Sequence, residues 1–91
     1  MTELQQLIVA ASERVLTKNE EARMVLLFWL KNNPKAAFGP AVRKAYAIHK
    51  KIETRGGTPR DYGTMHKLRT ELGCGDFGVL FAAVKLADQT P

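Results

Sequence analysis

A repeated helix-start signal constrains the fold of this chain more than any other feature of its sequence. Three threonines are each followed, three residues later, by a side chain that completes a capping box: Thr2 with Gln5, Thr17 with Glu20, and Thr58 with Asp61. In this motif the hydroxyl accepts a hydrogen bond from the third residue's amide, whose side chain bonds back to the threonine amide. Apolar residues follow at helical spacing and alternating strand patterns are absent, so we predict an all-α fold.

Glycine and proline divide the rest of the chain into further helices. Asn33-Pro34 starts a short turn that Gly39-Pro40 stops, and Pro40 opens a helix that ends at Gly56-Gly57. Asp76 caps the last helix. The predicted helices cover about residues 2–16, 19–31, 40–54, 58–72 and 76–87. We therefore predict a single helical domain over residues 1–91, a compact bundle of about five helices, with fraying at residues 89–91.

The composition is that of a globular domain without disulfides. Of the 91 residues, 45% are hydrophobic and 25% are charged, and Cys74 is the only cysteine. The first 20 residues lack the basic and apolar regions of a secretion signal. The longest apolar run, Met24–Leu30, has seven residues, whereas a bilayer-spanning helix needs about 20. We therefore expect a soluble, cytoplasmic protein without membrane insertion.

Two segments, Met24–Leu30 and Phe77–Ala87, are the most apolar parts of the chain. A helix that is apolar on all sides is usually central in a fold, so we expect Trp29 in the core rather than on a binding surface. In the second segment the small residues Ala82 and Ala83 permit close helix packing. That packing is either internal, which is the interpretation we favour, or forms a homodimer through the Phe77–Ala87 helix.

Positive charge is concentrated in the middle third of the sequence. Residues 31–60 contain eight basic side chains against one acidic side chain, a net charge of +7, whereas residues 1–30 and 61–91 each carry −1. An even distribution would indicate only solubility. A concentrated block of one sign favours a partner of the opposite sign.

The basic side chains of the third predicted helix gather on one face when the sequence is projected at 100° per residue. The opposite face is largely apolar: Val42, Ala45, Tyr46, Ile48, His49 and Ile52. The candidate binding residues are five cations of this helix and one just beyond it: Arg43, Lys44, Lys50, Lys51, Arg55 and Arg60. A surface helix also needs a polar face for hydration alone. Cations with only Glu53 between them repel one another, however, and a hydrated face usually mixes signs.

The segment Leu68–Asp76 is similar to the turn of a helix-turn-helix, because a leucine-bearing helix ends at glycine and a capped helix follows. DNA-reading versions place polar side chains on the second helix. Here that helix offers only Lys85 and Asp88. We therefore predict a buried or partner-facing helix and no sequence-specific reading of the major groove.

Other candidate sites have structural explanations. His49, His66 and Cys74 lack metal-ligand spacing, and Cys74 has no base beside it in the sequence, so we predict no metal site, no cofactor and no enzymatic activity. The pattern Gly-x-Gly-x-x-Gly from Gly73 follows no predicted strand and is not interpreted as a phosphate loop. Tyr46 and Tyr62 lie near basic residues and are the candidates for stacking on bases.

Two functions fit these observations. The first is a small regulatory or accessory protein that binds nucleic acid through phosphate contacts of the basic helix face, which Lys35, Lys67 and Arg69 extend if the fold brings them alongside. The second is a protein-interaction module, an inhibitor or adaptor that docks on an acidic surface of a larger protein. Its apolar anchor would be the fifth helix or the Met24–Leu30 run.

Overall fold

Five α-helices account for most of the computed structural model, which describes residues 1–89. They are α1 (Glu3–Glu13), α2 (Lys18–Trp29), α3 (Phe38–Arg55), α4 (Pro59–Leu72) and α5 (Phe77–Gln89). A short 3-10 turn, Lys35–Ala37, precedes α3, and the described residues contain no strand. The predicted all-α compact bundle of about five helices is confirmed. Fraying was expected at residues 89–91; of these, Thr90 and Pro91 lie outside the described residues.

The helix ends follow the predicted capping chemistry. All three capping boxes form, since each threonine hydroxyl accepts the amide three residues later and the reciprocal side-chain bond is also present. The Asp76 carboxylate accepts the Val79 amide at 3.1 Å, which caps α5. Gly73 ends α4 in the left-handed conformation, with φ of 75°, which residues with a Cβ rarely adopt. Thr17 caps α2, so that helix begins at Lys18 instead of about residue 19.

Two predicted boundaries are wrong. The first helix ends at Glu13 instead of about Leu16, because Arg14 is extended and its guanidinium binds Glu20 at the start of the next helix. Gly39-Pro40 does not separate a turn from α3, because Pro40 lies in the first turn of that helix, where its missing N–H is not needed. Asn33 caps nothing; its side-chain amide donates to the Trp29 carbonyl instead.

The core lies where α5 packs against α2 and α3. Val79, Leu80, Ala82 and Ala83 are the buried residues of α5, and α4 covers the remaining side through Met65, Leu68 and Leu72. This confirms the predicted buried helix after the Gly73 turn. The small residues that a homodimer seam would use are thus occupied by packing within the chain.

Trp29 lies in the core, as predicted, and its indole N–H donates to the Pro34 carbonyl at 3.1 Å. The rest of the Met24–Leu30 run is not wholly central, because Phe28 and Leu30 are each 38% exposed. Helix α1 has no buried residue and packs on α2. Ion pairs hold its two ends: Arg23 with Glu3, and Arg14 with Glu20.

Candidate nucleic-acid interface

Helix α3 presents the basic face because its other side is committed to the core. Its buried residues are Phe38, Ala41, Val42 and Ala45, and the apolar side chains of its second half are half-buried. All six predicted site residues are exposed: Arg43, Lys44, Lys50, Lys51, Arg55 and Arg60. The division of α3 into an apolar and a basic face therefore holds in three dimensions.

Two of these six cations are paired with carboxylates of neighbouring helices. Arg43 forms an ion pair with Asp88 of α5, and the Lys51 ammonium lies 2.9 Å from Asp61 of α4. The Thr58 amide and then Lys51 hold the pKa of Asp61 below its ordinary value, so this carboxylate stays charged. Both pairs brace α3 against its neighbours, and they reduce the charge left for a partner.

The other four cations have no ion-pair partner among residues 1–89. They are Lys44, Lys50, Arg55 and Arg60. Arg60 lies in α4, directly before Asp61. The ion pair between Asp61 and Lys51 brings this start of α4 beside α3. Lys67 follows Arg60 by seven residues, two turns of one helix, and therefore lies on the same face of α4. The basic surface thus extends across the α3–α4 seam.

An aromatic cluster borders the basic face on the side of α5. The Tyr46 ring stacks on Phe77, with centroids 4.9 Å apart, and lies 5.8 Å from Phe81. Phe81 is 45% exposed, and the Lys85 ammonium lies 4.5 Å from its ring centroid. From the sequence, the Phe77–Ala87 helix was expected to pack internally, to form a homodimer seam or to face a partner, and Phe81 was not singled out as a binding residue. The sequence does contain a signal for the exposure of Phe81. Lys85 follows one turn later, and because residues four apart share a helix face, this lysine indicates that the Phe81 side of α5 faces solvent.

The two tyrosines that were predicted to stack on bases have different environments. Tyr46 is half-buried, and Phe77 already covers one face of its ring. Tyr62 is 55% exposed, and its ring packs over Gly57 beside Ile52. Neither tyrosine presents both ring faces to solvent.

Lys35 and Arg69, which were predicted to extend the basic surface, lie in different parts of the molecule. Lys35 lines a cleft with Arg43 at the start of α3. The Arg69 side chain lies against Gly75, within the turn between α4 and α5. Arg69 is therefore directed toward that turn, and of the two only Lys35 adjoins a predicted site residue.

A second surface feature is an apolar cleft on the side of α1. It has a volume of about 300 Å³ and lies between α1, α2 and the turn after α4. Its lining includes Leu4, Ile8, Met24, Phe28 and Cys74, of which Ile8 is 53% exposed and Phe28 is 38% exposed. Of the two exposed residues of the Met24–Leu30 run, Phe28 lines this cleft and Leu30 does not.

The remaining candidates form no reactive cluster in the described part of the chain. His49 packs beside Phe77, His66 is exposed, and Cys74 accepts the Asp76 amide at 3.4 Å. Within residues 1–89 no group of three or more His, Cys, Asp or Glu side chains could hold a metal ion. None of the described helices combines the length and apolar character that a bilayer crossing requires.

No protein-family model, curated protein or solved structure matches this chain. Because a fold alone does not define a function, the chemistry of the exposed surfaces is the basis for assigning one.

Proposed function

We propose that this protein is a small, non-enzymatic regulatory or accessory protein, cytoplasmic in location, that binds nucleic acid through phosphate contacts of α3 and the start of α4. The observation that supports this most directly is the set of exposed cations without carboxylate partners: Lys44, Lys50, Arg55 and Arg60. Exposed, unpaired cations attract phosphates over distances of about 10 Å at moderate salt.

The chemistry of the surface favours backbone contacts over base reading. Five of the six candidate residues are exposed lysine or arginine side chains of one helix, α3, and phosphates are spaced regularly along a strand. The helix after the Gly73 turn buries one side in the core, and Phe81 and Lys85 on its exposed side are not shaped for bidentate contacts with base edges. Binding of this kind is weakly selective for sequence.

Salt-dependent titration tests the proposal. If four phosphates are neutralised, log K falls with log[salt] at a slope of about −3.6, and affinity for a labelled duplex falls about 150-fold between 50 and 200 mM salt. The double variant Lys50→Glu, Lys51→Glu should abolish most of this binding. Unchanged binding by that variant, or no binding by the native protein at 50 mM, would contradict the proposal.

The apolar cleft favours a second candidate function, docking on an acidic surface of a larger protein. Phe28 and Ile8 would supply the apolar contact, and the basic face would steer association. This function predicts one defined protein partner whose binding is lost in Phe28→Ser, with no binding to DNA or RNA even at low salt. Phe81→Ser, at a similarly exposed aromatic outside the cleft, is the matched control.

A further inference from the structure

The surface where α3 packs on α5 combines cations with an exposed aromatic ring. The two helices run antiparallel, because His49 contacts Phe77, Tyr46 contacts Phe81, and Arg43 pairs with Asp88. Phe81 therefore lies between the two ends of this α3–α5 surface.

Basic side chains flank this ring on both helices. On α3, Tyr46 lies one turn after Arg43 and one turn before Lys50, so all three share one side of the helix. On α5, Lys85 extends over the Phe81 ring itself. Arg43 is neutralised by Asp88, so Lys50 and Lys85 are the cations that remain for a ligand.

We propose that this α3–α5 surface binds single-stranded nucleic acid, with one base stacked on Phe81 and the flanking phosphates on Lys50 and Lys85. This rests on the function proposed above and specifies its ligand. Stacking requires an unpaired base, because the faces of bases within a duplex are already covered by their neighbours. Basic side chains that follow the backbone, beside exposed aromatic rings on which bases stack, are the means by which proteins bind single strands without reading their sequence.

Lys85 does not block the site. A contact between an exposed cation and a ring strengthens an interaction about two- to fivefold, whereas stacking of a base on an aromatic side chain contributes about 5- to 150-fold. An incoming base therefore displaces the Lys85 ammonium from the ring. The displaced ammonium is then free to contact the adjacent phosphate.

Tyr46 holds the ring in position. It is half-buried, stacked on Phe77, and tilted by 38° to Phe81. A supported aromatic ring loses little conformational freedom on binding, which favours stacking. Phe28 provides an internal comparison, because it is also partly exposed with Lys31 above its ring at 5.8 Å. It lies in the α1–α2 cleft, away from α3.

Two oligonucleotides that carry the same number of phosphates separate stacking from charge. We would titrate the full chain with a labelled thymidine decamer and with a decamer of abasic sites, at about 50 and 200 mM salt. The native protein should bind the thymidine decamer at least about fivefold more tightly at both salt concentrations. Equal affinity for the two decamers would overturn the stacking proposal.

Variants at Phe81 test whether the tighter binding of the thymidine decamer arises at this ring. Phe81→Ala and Phe81→Leu should lower affinity for the thymidine decamer at least about fivefold, with an unchanged salt slope and unchanged affinity for the abasic decamer and for duplex. Phe81→Trp should retain or increase the affinity, and Phe28→Ala should leave it unchanged. Circular dichroism checks that each variant is folded, and Phe81→Leu retains apolar volume if Phe81→Ala unfolds.

The outcomes distinguish this inference from the function on which it rests. If Phe81→Leu and Phe81→Ala bind the thymidine decamer as the native protein does, stacking at Phe81 is refuted while phosphate binding stands. If the native protein binds neither decamer nor duplex at 50 mM salt, the proposed function fails and the stacking site with it.

Discussion

The ion pairs of α3 predict which cations govern the salt dependence of nucleic-acid binding. Six neutralised phosphates would give a slope of log K against log[salt] of about −5.4, and four would give about −3.6. Because Arg43 and Lys51 are paired with carboxylates, the structure favours the lower magnitude. The double variant Lys44→Gln, Lys50→Gln leaves two unpaired cations. The slope for this variant should become shallower, about −1.8. Affinity would then be lost about 12-fold rather than about 150-fold between 50 and 200 mM salt.

A charge-matched variant provides the control. Arg43→Gln with Asp88→Asn removes one ion pair without changing the net charge, and its slope should stay near −3.6. Fluorescence anisotropy with a labelled duplex at four or more salt concentrations measures each slope. An equal change of slope in the Arg43 and Asp88 variant and in the Lys44 and Lys50 variant, or no change in either, would show that ion pairing does not decide which cations bind phosphate.

Stability measurements test the fold independently of function. Leu80→Ala, at a fully buried position, should lower the free energy of unfolding by about 2–5 kcal/mol in urea denaturation, whereas Ile8→Ala, at a largely exposed position, should change it by about 0.5 kcal/mol or less. Gly73→Ala should lower the free energy of unfolding by more than about 1 kcal/mol, because φ is 75° and the new methyl group would lie 3.0 Å from a phenylalanine ring. Gly63→Ala should raise the free energy of unfolding by about 0.5–1 kcal/mol, because Gly63 lies in a helix with open space around it. An arginine hydrogen bond lowers the pKa of Glu20 from 4.5 to about 2, so its stabilising contribution is complete above about pH 4.5 and is lost as the pH falls toward 2. Thermal unfolding between pH 6 and pH 2 measures this loss, and a stability that is flat over that range would contradict it.

Local signals in the sequence were sufficient to predict the helices. The capping boxes at Thr2, Thr17 and Thr58 depend on residues three apart, so the chain encodes them without reference to the rest of the fold. The predicted boundary at Gly39-Pro40 was wrong because proline is compatible both with a break and with the first turn of a helix. Packing of Phe38 into the core decides between the two, and that contact is not local.

The basic face was also predictable in part. Helical periodicity assigned Arg43, Lys44, Lys50, Lys51 and Arg55 to one side of α3, and the structure leaves all of them exposed. Periodicity on one helix does not reveal which cations meet carboxylates on another. Asp61 and Asp88 are 10 and 45 residues away in sequence from the cations they pair with.

The sequence by itself determined the starts of the four helices that have local caps (α1, α2, α4 and α5), the all-α class and the charge of the α3 face, because each depends on residues within a few turns of one another. Only the tertiary structure decided which of the six cations remain unpaired and that Phe81 stays exposed beside them. Both depend on how α5 and α4 pack against α3, and that packing is set by burial of side chains distant in sequence.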